Sequence, residues 1–171
     1  MVLWRDYNIH ISIIFPERMS PIEILTLKKL MRKALIFNLM NNLNKIIRKA
    51  GMSHRELSER SGQSSNWFND AYNNSEDITI SSLAKVFGVL NEKVNISSYQ
   101  LTDLFDKQII QISSTLSSLV DENEQSIQTF ILSQPSLFSD LLADWAALNE
   151  KNKLTSDEKL LYVDIQALLS N

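Results

Sequence analysis

The breaks between Leu43 and Leu90 constrain the fold of this 171-residue chain more than any other feature of its sequence. Four short stretches in this region carry apolar residues at helical spacing, and glycine or asparagine separates them. Gly62 divides the second stretch from the third, where a tight turn requires a positive backbone dihedral that other residues resist. The region is therefore predicted to form short helices joined by tight turns, and the chain is predicted to be mainly all-α.

Three capping boxes mark further helix starts. Each pairs a serine or threonine with a glutamate three residues later, so that both side chains bond to free backbone amides. The pairs are Ser20 with Glu23, Ser53 with Glu56, and Thr155 with Glu158. Apolar residues continue at helical spacing from Ile24 to Ala50, which predicts one long helix or two helices that meet near Met40. Upstream, the alternation of apolar and polar residues over residues 8–15 predicts a short N-terminal strand.

Few residues are arranged for chemistry. The chain has no cysteine, which excludes disulfides, thiolate metal sites and cysteine nucleophiles. His10 and His54 are its two histidines, and no acidic cluster gives them metal-ligand spacing. Neither a phosphate-binding glycine loop nor a nucleophile elbow is present. We therefore expect no catalytic residues, no metal, no cofactor and no enzymatic activity.

The sequence also predicts a cytoplasmic protein. No apolar run approaches the roughly 20 residues that a transmembrane helix needs. Arg5, Asp6 and His10 interrupt the apolar segment that a signal peptide would require.

Charge is distributed unevenly along the chain. The net charge is +6 over residues 1–50, −2 over residues 51–99 and −7 over residues 100–171, which together give −3. Basic residues attract phosphates and acidic residues repel them. The N-terminal part could therefore approach nucleic acid, whereas the acidic C-terminal part could receive a basic protein partner.

From residue 40 to about residue 106 the chain resembles the lambda-repressor-like family of helix-turn-helix domains, of the Cro and C1 type. The resemblance rests on an ordered series of residues with a break at each helix junction: Leu57, Gly62, Ser64, Phe68, Ile80, Leu83 and Val86. It implies a five-helix DNA-binding domain, with its fourth helix over residues 78–89 and its fifth over residues 99–105. In this family the third helix lies in the major groove of DNA.

The resemblance also implies which residues contact DNA. The residues that would face the bases are Ser65, Asn66, Asn69 and Asp70. The residues that would face the phosphates are Ser53, His54, Arg55 and Ser64. Trp67 would either contact a partner or cover the core beside Phe68. No lysine or arginine lies between Arg60 and Lys85, so the sequence predicts weak or strongly dimer-dependent DNA binding.

The C-terminal part is predicted to associate subunits. Apolar residues recur there at alternating steps of four and three, a spacing that pairs helices. This dimer seam consists of Leu101, Phe105, Ile109, Ile112, Leu116 and Leu119. The alternative is that the C-terminal helices pack on one another within the chain. We expect a homodimer, because a palindromic operator needs two symmetric reading helices.

The sequence thus divides into three parts. Residues 1–39 form an N-terminal extension of strand and helix, residues 40–106 the helix-turn-helix domain, and residues 107–171 a helical association region. If translation began at Met19, Met31 or Met40, the preceding residues would carry no function.

Two functions are compatible with this organisation. The first is a sequence-specific DNA-binding transcriptional regulator, most simply a repressor, that binds double-stranded DNA as a dimer. The alternative is a protein-binding inhibitor, of the anti-CRISPR or antitoxin kind, that uses a helix-turn-helix scaffold and could also repress its own promoter.

Overall fold

The computed structural model describes residues 18–74, 78–93, 101–121 and 123–171, and all regular secondary structure in these ranges is helical. The helices are α1 (Pro21–Lys49), α2 (His54–Arg60), α3 (Trp67–Asn74), α4 (Ile80–Lys93), α5 (Leu101–Leu104), α6 (Lys107–Ser118), α7 (Ile127–Leu132), α8 (Pro135–Glu150) and α9 (Ser156–Leu169). The all-α prediction is confirmed for the described residues. The predicted strand over residues 8–15 lies outside them. None of the described helices is both long enough and apolar enough to cross a membrane.

The long helix α1 connects the two halves of the molecule. It begins at the predicted capping box, in which Ser20 and Glu23 bond to each other's backbone amides, with Pro21 in the first turn. It then runs without a break through Met40 to Lys49. Of the two arrangements that the sequence allowed, the structure has the single helix.

Two hydrophobic cores pack against successive parts of α1. The first core surrounds its N-terminal half and is formed with α6, α7, α8 and α9. Trp145 of α8 is completely buried there, and its indole nitrogen donates a 2.9 Å hydrogen bond to the Leu30 carbonyl. The second core surrounds the C-terminal half of α1 and is formed with α2, α3, α4 and α5. We call these the C-terminal bundle and the helix-turn-helix unit.

This packing changes the predicted domain boundary. Residue 39 lies within the continuous helix α1, and Leu27 and Leu30 of the supposed extension are completely buried in the C-terminal bundle. The boundary was placed by resemblance, which begins near residue 40, whereas burial extends the first core back to Met19. Residues 19–34 are therefore a structural part of the C-terminal bundle.

The predicted dimer seam is largely used inside the chain. Ile109, Ile112 and Leu119 are buried, and Leu116 packs against the first core. The seam is not one helix either, because α5 ends at Leu104 and Asp106 begins α6 by accepting a hydrogen bond from the Ile109 amide.

The prediction that the seam pairs two subunits is therefore wrong for its buried members. Burying them within the chain leaves them no apolar surface for a second copy. Phe105 keeps 37% of its surface exposed. The side chain of Leu101 lies outside the described part of the structure.

Candidate nucleic-acid interface

Helix α2 begins at Ser53, as predicted, but its capping box is only half formed. The Ser53 hydroxyl accepts a 3.1 Å hydrogen bond from the Glu56 amide. The Glu56 carboxylate does not return this bond, because it lies 2.7 Å from the ammonium group of Lys93 and 3.7 Å from the guanidinium group of Arg60. The hydrogen bond with Lys93 lowers the pKa of Glu56 from its ordinary value.

The turn after α2 has the predicted glycine conformation. Gly62 has a φ of +72°, its amide donates to the Glu59 carbonyl, and the Gln63 amide donates to the Ser58 carbonyl. These two bonds form a Schellman motif, which requires a left-handed residue after the helix end. The motif fixes the angle at which the chain leaves α2 towards α3.

A buried hydroxyl joins the two helices of the motif. Ser58 has no exposed surface, and its Oγ donates to the His54 carbonyl while it accepts a 3.1 Å bond from the Phe68 amide. That amide lies in the first turn of α3, where helix amides lack intrahelical partners. Phe68 itself is completely buried, as the sequence predicted, and so is Leu57. Ser58 is not among the residues predicted from the sequence; its place directly after the inward Leu57 is the signal that could have identified it.

The predicted base-facing residues lie mostly on the surface. Asn66, Asn69 and Asp70 are exposed, whereas Ser65 is half-buried. Helix α3 begins at Trp67, so Ser65 and Asn66 precede the helix. Asn73, which was not among the predicted base-facing residues, is also exposed. Its side-chain nitrogen donates a 3.1 Å hydrogen bond to the side-chain oxygen of Asn69. We call Asn66, Asn69, Asp70 and Asn73 the amide stripe, because their spacing places them on one face.

The predicted phosphate-facing residues differ in exposure. Ser53, Ser64 and Arg55 are exposed, and the Arg55 guanidinium binds Glu59 at 2.8 Å. The hydrogen bond and charge of Glu59 raise the pKa of Arg55. His54, however, turns inward: its Nε2 lies 2.6 Å from Asn44 Oδ1, and its ring centre lies 4.7 Å from that of Phe68. This geometry therefore does not favour a direct contact between His54 and a phosphate, because the Nε2 atom of His54 already has a protein partner.

Several basic side chains near α2 are neutralised within the unit. Arg60 bonds to Glu92 of α4 and Lys93 to Glu56 of α2. The remaining exposed basic residues of the unit include Lys45 and Arg48 in the last turns of α1. The amide stripe itself carries the acidic Asp70 and no basic residue. Its chemistry is therefore amide hydrogen bonding with little attraction for phosphate.

A small cavity of about 250 Å³ lies beside the amide stripe, between α3 and the start of α4. Its lining includes Ser64, Trp67, Asp70, Thr79 and Ser82. Trp67 packs against the second core and is half-buried, so that part of its side chain remains accessible. Pockets for whole cofactors usually measure about 300 to 1,000 Å³, so this cavity is small for one.

Helix α3 contacts both α1 and the end of α8. The Tyr72 hydroxyl donates a 3.0 Å hydrogen bond to the side-chain oxygen of Asn41 in α1. The Lys151 ammonium, at the end of α8, lies 5.5 Å from the Tyr72 ring centre and 5.5 Å from that of Phe37. These contacts hold the α3 helix in a defined orientation relative to α1 and α8.

The carboxylate of Asp144, on α8, has a raised pKa. Asp144 of α8 accepts hydrogen bonds from Asn38 at 2.7 Å and Gln108 at 3.0 Å. Burial raises the pKa of Asp144 to about 6; the hydrogen bond from Asn38 opposes the shift, and the charge of Asp140 adds to it. Within the part of the chain that the structure describes, no group of three or more His, Cys, Asp or Glu side chains could hold a metal ion.

Comparison of the chain with protein-family models, with curated proteins and with solved structures found no match. The geometry of α2, the Gly62 turn and α3 is therefore the basis on which a function can be proposed.

Proposed function

We propose that this protein is a sequence-specific DNA-binding regulator, most simply a repressor, whose amide stripe reads base edges in the major groove. One observation carries the proposal. A helix, a Schellman turn at Gly62 and a second helix are joined through Ser58, and the second helix presents exposed Asn66 and Asn69. This is the arrangement of a helix-turn-helix.

The exposed side chains have suitable chemistry for base recognition. The side-chain nitrogen of an asparagine can donate to adenine N7 while its side-chain oxygen accepts from the N6 amino group, and adenine presents this acceptor and donor pair in the major groove. Each paired contact contributes about 1 to 3 kcal/mol of discrimination against the wrong base. Asn66 and Asn69 are therefore the residues on which sequence preference should depend.

The low positive charge of this surface sets the expected affinity. Phosphate neutralisation supplies most non-specific affinity for DNA, and the amide stripe contributes none. Lys45 and Arg48 of α1 are exposed cations that could supply phosphate contacts. We expect a single unit to bind weakly and a dimer to bind a palindromic site, because two half-sites add their contacts.

Selection of bound duplexes from a random DNA library, with the purified chain at low salt, tests the proposal. We expect one enriched palindromic sequence, whose affinity falls steeply as salt is raised. Asn66→Ala and Asn69→Ala should each reduce the preference for it, whereas Asn91→Ala, at an exposed position of α4, should not. If no sequence is enriched, the protein is not a sequence-specific regulator.

A second candidate is a protein-binding inhibitor of the anti-CRISPR or antitoxin kind on the same scaffold. It is favoured by the electrostatics: residues 61–84 contain no lysine or arginine, and Arg55 and Arg60 pair with glutamates of the chain. Capture from host lysate after nuclease treatment separates the two candidates. A stoichiometric protein that Asp70→Lys releases would support the inhibitor, whereas loss of all bound material after nuclease treatment would support the regulator.

A further inference from the structure

Two neighbouring helices of the C-terminal bundle expose apolar pairs. Ile22 and Leu25 of α1 are 72% and 52% exposed, and Leu160 and Val163 of α9 are 66% and 54% exposed. Within each pair the residues are three positions apart, so they share one helix face. Contiguous exposed apolar surface of this kind is typical of interaction sites.

Charged residues extend the two faces with opposite signs. Lys29 and Arg32 continue the exposed face of α1, while Asp157 and Asp164 flank the apolar pair of α9. Within the described ranges, none of these four side chains forms a salt bridge. We call the first face the basic stripe (Ile22, Leu25, Lys29 and Arg32) and the second the acidic stripe (Asp157, Leu160, Val163, Asp164 and Ala167).

The two stripes match in length. Each extends over about ten residues, which corresponds to roughly 15 Å of helix. An antiparallel pairing places Arg32 opposite Asp157 and Leu25 opposite Val163. A parallel pairing instead places Lys29 opposite Asp164 and Leu25 opposite Leu160. In either direction, one cation of the basic stripe faces one carboxylate of the acidic stripe, and apolar side chains face each other.

The two helices already pack against each other within one chain, where the Lys33 ammonium lies 2.6 Å from the Glu158 carboxylate. The inward faces are thus satisfied, and the stripes are left for a partner. The predicted dimer seam cannot serve, because Ile109, Ile112 and Leu119 are buried.

We propose that the basic stripe of one copy binds the acidic stripe of a second copy, so that a two-fold dimer contains this contact twice. Each copy then contributes both surfaces, as an isologous interface requires. The inference rests on the proposed function only because that function requires a dimer. Measuring association of the chain in solution tests the inference without any DNA.

Charge exchange between the stripes provides the experiment. Sedimentation of the full chain without DNA should show a dimer for the native sequence. The variant K29E/R32E and the variant D157K/D164K should each dissociate at least tenfold more readily, because each then opposes like charges across both contacts. An equimolar mixture of the two variants should form a heterodimer, because every contact is again between opposite charges.

Two controls separate this result from misfolding and from a general effect of charge. Circular dichroism should show native helix content in both variants, and K85E/K107E, at exposed positions of α4 and α6, should remain as dimeric as the native chain. A native chain that is monomeric at high micromolar concentration would overturn the proposal, as would variants that fail to associate when mixed. Sequence-selective binding by a monomer would overturn the dimer surface and leave the regulator proposal standing.

Discussion

The ammonium group of Lys151 lies 5.5 Å from the ring centre of Tyr72, so the end of α8 contacts the helix that carries the amide stripe. The same ammonium lies 5.5 Å from the ring centre of Phe37 in α1. A cation between two aromatic rings interacts favourably with both faces. One side chain thereby connects the C-terminal bundle to α3.

Replacing Lys151 with methionine should weaken this connection. Methionine keeps the apolar stem but removes the charge, so we expect the free energy of unfolding to fall by about 0.5 to 1 kcal/mol, the usual contribution of an exposed cation–π contact. Urea unfolding measures the change. Lys107→Met, on the exposed side of α6, is the matched control and should change stability less. Equal effects of the two substitutions would show that the aromatic contacts contribute nothing.

Asp144 should make stability depend on pH. Burial raises its pKa in the folded chain to about 6, above the ordinary value of 3.8. The folded state therefore holds this proton more tightly than the unfolded state, and stability falls as pH rises from about 4 to above 6. Because the side chain is only partly buried, we expect the free energy of unfolding of Asp144→Asn to exceed that of the native chain by about 1 to 2 kcal/mol at pH 8. At pH 4 the two free energies should differ little.

Denaturant unfolding of both proteins at several pH values tests this expectation. Asp103→Asn, at an exposed position of α5, provides a control for the loss of a carboxylate. A difference between Asp144→Asn and the native chain that is constant from pH 4 to pH 8 would contradict the assignment of this titration to Asp144.

Gly62 and Gly88, which are both exposed, should respond oppositely to alanine. A methyl group at either position meets no atom within 4 Å, so only backbone preference differs between them. Gly62 has a positive φ, and Gly62→Ala should destabilise the chain by about 1 kcal/mol or more. Gly88 lies inside α4, and Gly88→Ala should stabilise it by about 0.5 to 1 kcal/mol. Thermal unfolding distinguishes the signs, and a neutral Gly62→Ala would mean that the turn is not restrained.

Asp70→Lys should strengthen DNA binding. The substitution replaces the acidic side chain of the amide stripe with a basic one, at an exposed position next to Asn69. One added phosphate contact should steepen the dependence of the logarithm of affinity on the logarithm of salt concentration by about 0.9 per bound unit. Titration of a selected duplex at several salt concentrations measures this slope. An unchanged affinity with an unchanged slope would indicate that α3 does not approach DNA.

Local sequence predicted those features that depend on residues a few positions apart. The capping boxes at Ser20 and Thr155 form as expected, and Gly62 adopts its left-handed conformation. The box at Ser53 fails in its second half because Lys93, far along the chain, binds Glu56 more favourably than the Ser53 amide does. The exposure of Asn66 and Asn69 was instead expected from the resemblance to helix-turn-helix domains, because Asn66 precedes α3 and helical spacing does not reach it.

The sequence by itself determined which faces of these helices are apolar and that helices begin after Ser20, Ser53 and Thr155, because periodicity and capping act within one or two turns. Only the tertiary structure decided what covers each face. Ile112 fitted a pairing of two subunits equally well, but it packs within the chain's own bundle. His54 turns inward because Asn44 and Phe68 lie within reach of its ring, and residues far apart in sequence compete for such contacts in three dimensions.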